Sequence, residues 1–461
     1  MITNELGKTT VEQFGTDNLY AGPRGTAVKI LNRVERSDAY LDRLLDAEMR
    51  STDMNELDRA LMNEIVTGVI RWKMKLDWVL TGFFHGNFTK AETNIRNALR
   101  VALYQILVLD KVPHSAAVNE AVEFIKRLRG RKVGDLVNAV LRNILRNIEN
   151  IRYPDPAEDS IQHLAVIESH PYWIVKRWVD RFGYDEARQL LSANNQRPDL
   201  TLRVNRLKID FNYFLSKLEQ NQIQFSRSPV LDFFVRVRHM AGIGSSEMFR
   251  QGFFVVQDES AGLPIMLLDP KPGDRVIDLC AAPGGKTTFI GELMRNVGEI
   301  TAVDRYETRL NLVKSACQRT GIANAHFITA DAAELQIPPG DRVLVDVPCS
   351  GLGVLAKKPD AKWKRESVDL EKLVVIQKAI LDNAATLVRP GGVLVYSTCT
   401  TEPEENEAIV KSFLSAHPEF TLEPAGEFVP STVVSPEGYV QTFPHKHEMD
   451  GAFAARLRKS P

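Results

Sequence analysis

The order of apolar and polar positions divides the chain into three stretches with different periodicity. From Thr26 to about Ile151, apolar residues recur every three or four positions, as in the run from Leu99 to Leu107. This spacing places them on one face of successive helices, so it predicts an all-α bundle. Ser115 follows a break in the pattern and is predicted to cap a helix. The last helix is predicted from Val133 to Ile148.

A shorter stretch follows, in which helical and alternating patterns are mixed. Residues 152–170 hold several prolines with acidic residues between them, which predicts a linker. An alternating run at Leu200–Val204 is typical of a strand, and a helix is predicted at Phe211–Gln220. Further strand-like pieces lie near Val230 and Val235. We therefore expect a small α+β unit.

From Gly252 onward, short apolar runs alternate with helical segments. Such alternation indicates a doubly wound, mainly parallel sheet of the Rossmann-like α/β type. The final run, Ala452–Leu457, is predicted to form an edge strand. The central strands are predicted at Arg275–Leu279, Ile300–Val303, Ala325–Ile328, Arg342–Val345 and Val393–Tyr396.

The changes of pattern predict a multidomain protein with four segments. They are a flexible lead-in at residues 1–22, a helical domain at 23–155, a linker with a small α+β domain at 156–248, and an α/β domain at 249–461. A chain of 461 residues is long enough for two or three domains with separate cores.

Composition and net charge narrow the function classes only slightly. The formal net charge is −1 and 25% of the residues are charged, so the totals neither suggest nor exclude a nucleic-acid partner. The first residues lack the apolar core of a signal peptide, and no apolar run reaches the ~18 residues of a membrane helix. Four cysteines without a C-x-x-C pair argue against structural zinc. We expect a cytoplasmic monomer without metal or membrane contact.

Positive charge is concentrated in the helical domain. The segment from Arg71 to Arg146 contains fourteen Lys/Arg residues but only six Asp/Glu residues. The dense cluster at 126–132 is either a solvated loop between helices or a contact for RNA phosphates. Arg203, in the α+β unit, faces RNA or merely ends a strand. The candidate RNA-binding residues are Lys126, Arg127, Arg129, Arg131, Lys132 and Arg203.

A glycine-containing turn follows the first predicted strand of the α/β domain. Gly284 and Gly285 permit close approach of a ligand, and the next helix offers free amides. Asp304, at the end of the second strand, is placed to bind a ribose diol. A dinucleotide would fit too, but the turn is not G-x-G-x-x-G and Pro283 removes an amide donor. A nucleoside such as S-adenosylmethionine fits better, with Asp331 either meeting its adenine or capping a helix.

Two further strands end in cysteines. Cys349 follows one strand and Cys399 follows the next. A thiolate that adds to carbon-6 of cytosine activates carbon-5 toward a methyl donor, and a second thiol can help to release the product. Asp346 precedes Cys349 by three residues and can hydrogen-bond the base. These residues do not decide which thiol attacks, and two structural cysteines remain the alternative.

Three motifs, at Asp278–Lys286, Asp346–Gly353 and Ser397–Cys399, resemble those of the RNA 5-methylcytosine methyltransferases, the NOL1/NOP2/Sun group. The helical segment, at Val118–Glu123 and Val137–Arg142, resembles the NusB-like domain of bacterial members of the RsmB/Sun/Fmu type. Gln257–Ala261 also matches the segment that precedes the first strand. The resemblance covers nearly the whole chain beyond residue 25.

The resemblance implies a class I methyltransferase fold, S-adenosylmethionine as cofactor and one cytosine of 16S ribosomal RNA as substrate. It implies that Cys399 is the nucleophile, that Cys349 assists product release and that Asp346 activates the base. Val347 and Ala452–Phe453 depart from the family pattern, which puts target geometry rather than reaction type in doubt. The implied cofactor contacts are Cys280, Ala281, Ala282, Pro283, Gly284, Gly285, Lys286, Asp304, Arg309, Asp331 and Asp346.

Three other functions fit parts of the chain. An RNA-binding or antitermination factor with a vestigial catalytic domain need not keep both thiols, Asp346 and the glycine turn. A DNA cytosine methyltransferase is disfavoured by Thr398–Cys399 and the NusB-like segment. Amino-group methylation usually places an Asp/Asn-Pro-Pro-aromatic motif where this chain has Asp-Val-Pro-Cys.

Overall fold

The computed structural model describes residues 19–37, 39–238 and 242–461. The predicted flexible lead-in, residues 1–22, lies almost wholly outside this range. The chain divides into two compact units. The first extends to Arg188 and includes Lys358–Asp360, and the second comprises the rest. Across the described ranges, no helix is long and apolar enough to cross a membrane.

The first unit contains the predicted all-α bundle and extends beyond it. Its central helix is α5, in which Leu99, Ala102 and Leu103 are fully buried. Its helices are α1 Gly22–Arg36, α2 Leu41–Ser51, α3 Glu56–Arg71, α4 Lys73–Phe83, α5 Thr93–Val108, α6 His114–Arg129, α7 Arg131–Arg146, α8 Ser160–Ile167 and α9 Tyr172–Phe182, and the boundary between units falls in α10 Tyr184–Asn195.

Three local predictions in this unit are wrong. Pro113 rather than Ser115 is the N-cap of α6, because proline supplies the extended backbone that precedes the helix. The last long helix begins and ends two residues earlier than predicted, at Arg131 and Arg146. The predicted linker contains helix α8, which begins where the Asp159 side chain accepts a hydrogen bond from the Gln162 amide.

The second unit begins with the small α+β fold. Its antiparallel sheet has the strand order β2-β3-β1-β4, and helix α11, Phe211–Gln220, packs on it through Phe214 and Leu218. Val230 lies outside the strands, contrary to the prediction. The strands are β1 Leu200–Val204, β2 Phe225–Arg227, β3 Phe234–Val237 and β4 Phe254–Val256, and the short helix α12 is Glu247–Arg250.

The larger sheet of this unit has eight strands in the order β10-β12-β9-β8-β5-β6-β7, with β11 paired to β12. The five strands from β9 to β7 are parallel, as predicted. The strands are β5 Arg275–Leu279, β6 Glu299–Asp304, β7 Ala325–Thr329, β8 Gly340–Asp346, β9 Val388–Thr398, β10 Phe420–Glu423, β11 Val440–Thr442 and β12 Ala452–Lys459.

Strand β12 is not the predicted edge strand. It pairs antiparallel with β9 on one side and with β10 and β11 on the other, so it lies inside the sheet. Ala454, Ala455 and Leu457 are accordingly fully buried. The partner β10 was not recognised in the sequence, because its four residues carry too short a pattern.

Helices cover both faces of this sheet. Successive residues of β5 point to opposite faces, so Val276 joins one core layer with helices α14 and α15, while Ile277 joins the other with α17. This double covering explains the continuous apolar runs in the sequence. The helices are α13 Glu259–Leu268, α14 Gly285–Leu293, α15 Glu307–Thr320, α16 Ala361–Lys364, α17 Ser367–Thr386, α18 Glu407–Ala416 and α19 Pro444–His447.

Arg203 joins the small sheet to helix α14. Its guanidinium is 1% exposed, forms an ion pair with Glu292, and donates to Gln257 Oε1 at 2.7 Å and Thr288 Oγ1 at 2.8 Å. Burial lowers the pKa of Arg203 to about 10 although Glu292 opposes the shift. The prediction that Arg203 contacts RNA is therefore wrong, because every donor group turns inward.

Removing the Glu292 carboxylate should destabilise the second unit strongly. Glu292→Ala leaves the Arg203 guanidinium buried without its counter-charge, and such a loss costs about 3–5 kcal/mol. Glu299→Ala is the control, because Glu299 faces Arg275 at 3.7 Å with both side chains partly exposed, and such pairs contribute about 1 kcal/mol or less. Calorimetric unfolding measures both. Equal losses would contradict the assigned importance of the buried pair.

Candidate active site

Five parallel strands place their carboxyl ends at one edge of the large sheet. Asp346, the last residue of β8, pairs in register with Ser397 of β9. Cys349 and Cys399 follow these strands by a few residues, so the register brings the two thiols together. Open α/β sheets bind ligands at this edge.

A cavity of about 380 Å³ opens beside these strand ends. Of the predicted cofactor contacts, Gly284, Asp304, Arg309 and Asp331 do not line it. The predicted contacts that do line the cavity are Cys280, Ala281, Ala282, Pro283, Gly285, Lys286 and Asp346. Its other lining residues are Pro198, Asp199, Leu200, Thr201, Val256, Gln257, Asp258, Ala261, Asp278, Lys357 and Asp450.

The glycine turn connects β5 to α14. Cys280 has a positive φ of 63° and Gly284 one of 107°, so the turn uses backbone conformations that favour glycine at the second position. A Cβ atom on Gly284 would lie 3.0 Å from the Cα atom of Val313 on α15. Gly284 therefore permits close packing of two helices, a role that the sequence did not reveal.

Asp304 supports this turn from the end of β6. Its carboxylate accepts hydrogen bonds from the backbone amides of Ala282 at 3.3 Å and Tyr306 at 3.1 Å. Arg309 Nη1 lies 3.7 Å from Asp304 Oδ2, and Arg309 also donates to the Ala282 carbonyl at 3.2 Å. Each carboxylate oxygen keeps a lone pair for a ribose hydroxyl, so the predicted ribose contact stays a prediction.

Asp331 follows β7. It accepts a hydrogen bond from the Ala333 amide at 3.0 Å and lies 3.6 Å from Arg305. The first contact is a local turn bond of the kind that aspartate often makes. Its role toward adenine therefore stays a prediction.

Lys286 and Asp346 form a charged pair on the wall of the cavity. Lys286 Nζ donates to Asp346 Oδ2 at 2.7 Å, and Ser397 Oγ donates to Asp346 Oδ1 at 2.8 Å. Burial disfavours the ammonium, but Asp346 outweighs it and raises the pKa of Lys286, with further support from Cys399 and Asp278. Lys286 thus stays cationic next to the thiols.

The two thiols lie side by side. The Sγ atoms of Cys349 and Cys399 are 3.1 Å apart, and the Cys399 amide donates to Cys349 Sγ at 3.3 Å. The hydrogen bond to Cys399, burial and the charge of Glu405 together raise the pKa of Cys349 well above its ordinary value. Cys399 is the more exposed of the two. The site therefore disfavours a thiolate on Cys349.

Sequence reasoning missed two groups of side chains at this site. Lys357 forms ion pairs with Asp258 and Asp450, which joins three distant segments on the cavity wall. Glu405, which is fully buried, accepts hydrogen bonds from the residue after Cys349. A run of charged residues after Cys399 is an ordinary sign of an exposed loop, so the sequence carried no signal for a buried carboxylate.

The predicted RNA-binding cluster lies in the first unit, around the turn between α6 and α7. Lys126 pairs with Glu123 at 2.9 Å and Arg129 pairs with Glu92 at 2.6 Å. Arg127 and the α7 residues Arg131 and Lys132 lie on the surface around the same turn. The cluster is thus brought together on one turn, and phosphate binding stays a prediction.

The cavity suits a cationic nucleoside. Five aspartates and two lysines line it, so a pyrophosphate would meet net negative charge, whereas a sulfonium and an ammonium group would be attracted. Asp278 Oδ1 is buried without a hydrogen-bond partner, and Asp278 lines the cavity. Such an orphaned acceptor is satisfied by a donor on a bound ligand. These residues fit S-adenosylmethionine.

A doubly wound sheet with this turn and this cavity defines an S-adenosylmethionine-dependent methyltransferase. Comparison with known families identifies the group. Residues 265–458 match 16S rRNA methyltransferase RsmB/F, residues 22–146 match the NusB family, and residues 170–242 match the ferredoxin-like domain of RsmF/B-like methyltransferases. The chain belongs to the RsmB/F family of 16S rRNA methyltransferases. The predicted family, fold class and cofactor are confirmed.

Individual relatives cover between 64% and 95% of the chain. The probable ribosomal RNA small subunit methyltransferase B of Bacillus subtilis strain 168 is 36% identical over 444 residues, which are 95% of this chain and 98% of that protein. The crystal structure of PH0851 has a TM-score of 0.80 at 28% identity and covers 95% of this chain and 99% of its own. NSun6 from Pyrococcus horikoshii with SFG, an S-adenosylmethionine analogue, has a TM-score of 0.57 at 25% identity, with coverages of 64% and 100%.

Asp278 should make stability depend on pH. Burial raises its pKa to about 7, although Thr287 donates to Oδ2 at 2.6 Å. The folded state then holds a proton that the unfolded state releases near pH ~4, so stability falls between about pH 4 and pH 7. In thermal melts, Asp278→Asn should gain several degrees over the native chain at about pH 8 and much less at about pH 5.

The control for this prediction is Asp269→Asn. Asp269 lies in the left-handed region, which asparagine also tolerates, and its partner is the partly exposed Lys271. Its melting curve should follow the native chain at both pH values. A constant difference between Asp278→Asn and the native chain would contradict a buried, protonated Asp278.

Proposed function

We propose that this chain transfers a methyl group from S-adenosylmethionine to carbon-5 of a cytosine in 16S rRNA, through a covalent bond between Cys399 and the base. The observation that supports this most strongly is the distance of 3.1 Å between the Sγ atoms of Cys349 and Cys399. These thiols follow the strand ends where Asp346 pairs with Lys286. Two thiols and a carboxylate are the groups that this reaction needs.

The chemistry explains why both thiols are needed. Carbon-5 of cytosine is a poor nucleophile, and addition of a thiolate to carbon-6 turns it into an enamine carbon that can attack an electrophile. The bound cofactor supplies an electrophilic methyl group. After transfer, a base must take the proton from carbon-5, and the carbon–sulfur bond then breaks so that the first thiolate leaves and the ring regains its double bond.

The surroundings of each thiol support their assignment. Cys399 is exposed and its thiolate would be stabilised by the Lys286 ammonium, so it is the nucleophile. Cys349 has a raised pKa, which makes it a poor resting nucleophile. Once Cys399 is bonded to carbon-6 and no longer carries charge beside it, Cys349 can lose its proton to solvent, and the resulting thiolate takes the carbon-5 proton. Asp346, held by Lys286 and Ser397, would accept a hydrogen bond from the amino group of cytosine, or from its ring nitrogen once that nitrogen is protonated.

Membership in a 16S rRNA methyltransferase family supports ribosomal RNA as the substrate. The target base must leave its stack before its carbon-6 can reach Cys399. The basic turn around Gly130 would contribute phosphate contacts of low sequence specificity. The protein would then act in the cytoplasm, on free or partly assembled small-subunit RNA.

Cysteine variants test the reaction. Cys399→Ala should abolish transfer of labelled methyl groups to 16S rRNA, because no thiolate can add to carbon-6. Cys349→Ala should accumulate a covalent protein–RNA adduct, seen as a slow band on a denaturing gel, because release fails after transfer. Cys317→Ala is the control, since Cys317 is buried on α15, does not line the cavity and should leave activity unchanged when replaced. An adduct from Cys399→Ala would reverse the two roles.

A further inference from the structure

We propose that Glu405 is a positioning residue that holds Cys349 next to Cys399, so that the second thiol can complete product release. The inference rests on the proposed function, because it assigns Cys349 to the release step. Glu405 does not line the cofactor cavity, and it acts through the loop that carries Cys349.

Three donors converge on the Glu405 carboxylate. Oε1 accepts from the Ser350 amide at 2.8 Å and from Gln377 Nε2 at 2.8 Å, and Oε2 accepts from the Ser350 hydroxyl. Glu405 is 0% exposed. A buried carboxylate is costly unless donors compensate it, so this arrangement is retained only where the donors are fixed.

The Glu405 carboxylate is connected by hydrogen bonds to the residues on both sides of Cys349. Ser350 follows the thiol and is bound directly, while Pro348 precedes it and receives a second hydrogen bond from Gln377 Nε2 at 3.0 Å. A residue whose two flanking peptides are both anchored has little freedom to move its side chain. Glu405 therefore fixes the backbone of Cys349 from both directions.

The same network extends to the second thiol. Ser350 Oγ lies 2.8 Å from Thr400 Oγ1, and Thr400 directly follows Cys399. The Tyr396 hydroxyl donates to the Glu405 carbonyl at 2.6 Å, which anchors the carboxylate's own backbone to β9. Cys399 has further anchors that do not use the carboxylate, because Thr398 Oγ1 donates to Asn406 Oδ1 at 2.6 Å and Asn406 Nδ2 donates to the Thr400 carbonyl at 3.0 Å. Loss of Glu405 should thus displace Cys349 more than Cys399.

The charge of Glu405 has a second effect on Cys349. Titratable groups that face Cys349 are Cys399, Glu405 and Tyr396, with Lys286 facing Cys399. Cys399 and burial disfavour a Cys349 thiolate most, and the Glu405 charge adds to them. Glu405 therefore helps to leave the negative charge on the nucleophile.

The decisive variant is Glu405→Gln, which preserves shape and removes the charge. The Ser350 hydroxyl can reverse its hydrogen bond and accept from the new amide, so folding should persist. Formation of the Cys399 adduct should slow only slightly, because part of the thiolate charge shifts to Cys349. Release should slow about 10-fold, because neutral hydrogen bonds to Ser350 and Gln377 replace the charge-assisted ones and hold the Cys349 loop less firmly. The adduct should accumulate on a denaturing gel. Glu404→Gln, on the exposed neighbour, should behave as native.

A second variant guards against failure of the first to fold. Gln377→Met removes the tether to Pro348 and one of the three donors to Glu405, while both Ser350 donors remain, and it should also accumulate the adduct, to a smaller extent. Native turnover in both variants would overturn the proposal. So would an equal loss of adduct formation and release, because that result describes a merely structural residue.

A measurement without RNA separates this proposal from the proposed function. In a Cys399→Ser background, alkylation of Cys349 by iodoacetamide is followed against pH by peptide mass spectrometry. Glu405→Gln should move the half-maximal pH downward, because the neighbouring negative charge is gone. This shift should occur whether or not the chain methylates 16S rRNA. An unchanged profile would overturn the role of Glu405 even if methylation is confirmed.

Discussion

The register between the parallel strands β8 and β9 is the constraint on which the site depends. Asp346 pairs opposite Ser397, so the residues that follow both strands leave the sheet at the same place. A slip of one residue would turn the side chains of a strand to the opposite face. The register is fixed by continuous burial of Val343 and Val345 on β8 and of Leu394 and Tyr396 on β9. Apolar packing thus sets the distance between two sulfur atoms.

Charge is distributed so that each side chain has a single role. Lys286 is held cationic by Asp346, Cys349 is held neutral by burial and its neighbours, and Asp278 offers an unpartnered oxygen to the cavity. These groups would be unstable in isolation, since buried charges and orphaned acceptors both cost free energy. A bound S-adenosylmethionine would supply a donor to the Asp278 oxygen.

Much of the fold could be predicted because each parallel strand carries its own local pattern. The strands from Arg275 to Tyr396 and the cysteines that follow them were found from apolar runs and turns alone. The interior position of β12 could not be found, because it depends on antiparallel pairing with strands that are distant in sequence. The burial of Arg203 could not be predicted for a similar reason, since a cation in a strand gives no local sign of burial. Glu405 was missed because its donors come from two separate segments.

Bisulfite sequencing of 16S rRNA tests the central claim most directly. Cells that lack the gene should lose protection at one cytosine, and the native gene should restore it. A gene that carries Cys399→Ala should not restore it, because the protein then cannot form the covalent bond that activates carbon-5. An unchanged set of protected cytosines in cells without the gene would contradict the assignment of 16S rRNA as substrate. Restoration by the Cys399→Ala gene would contradict the covalent mechanism.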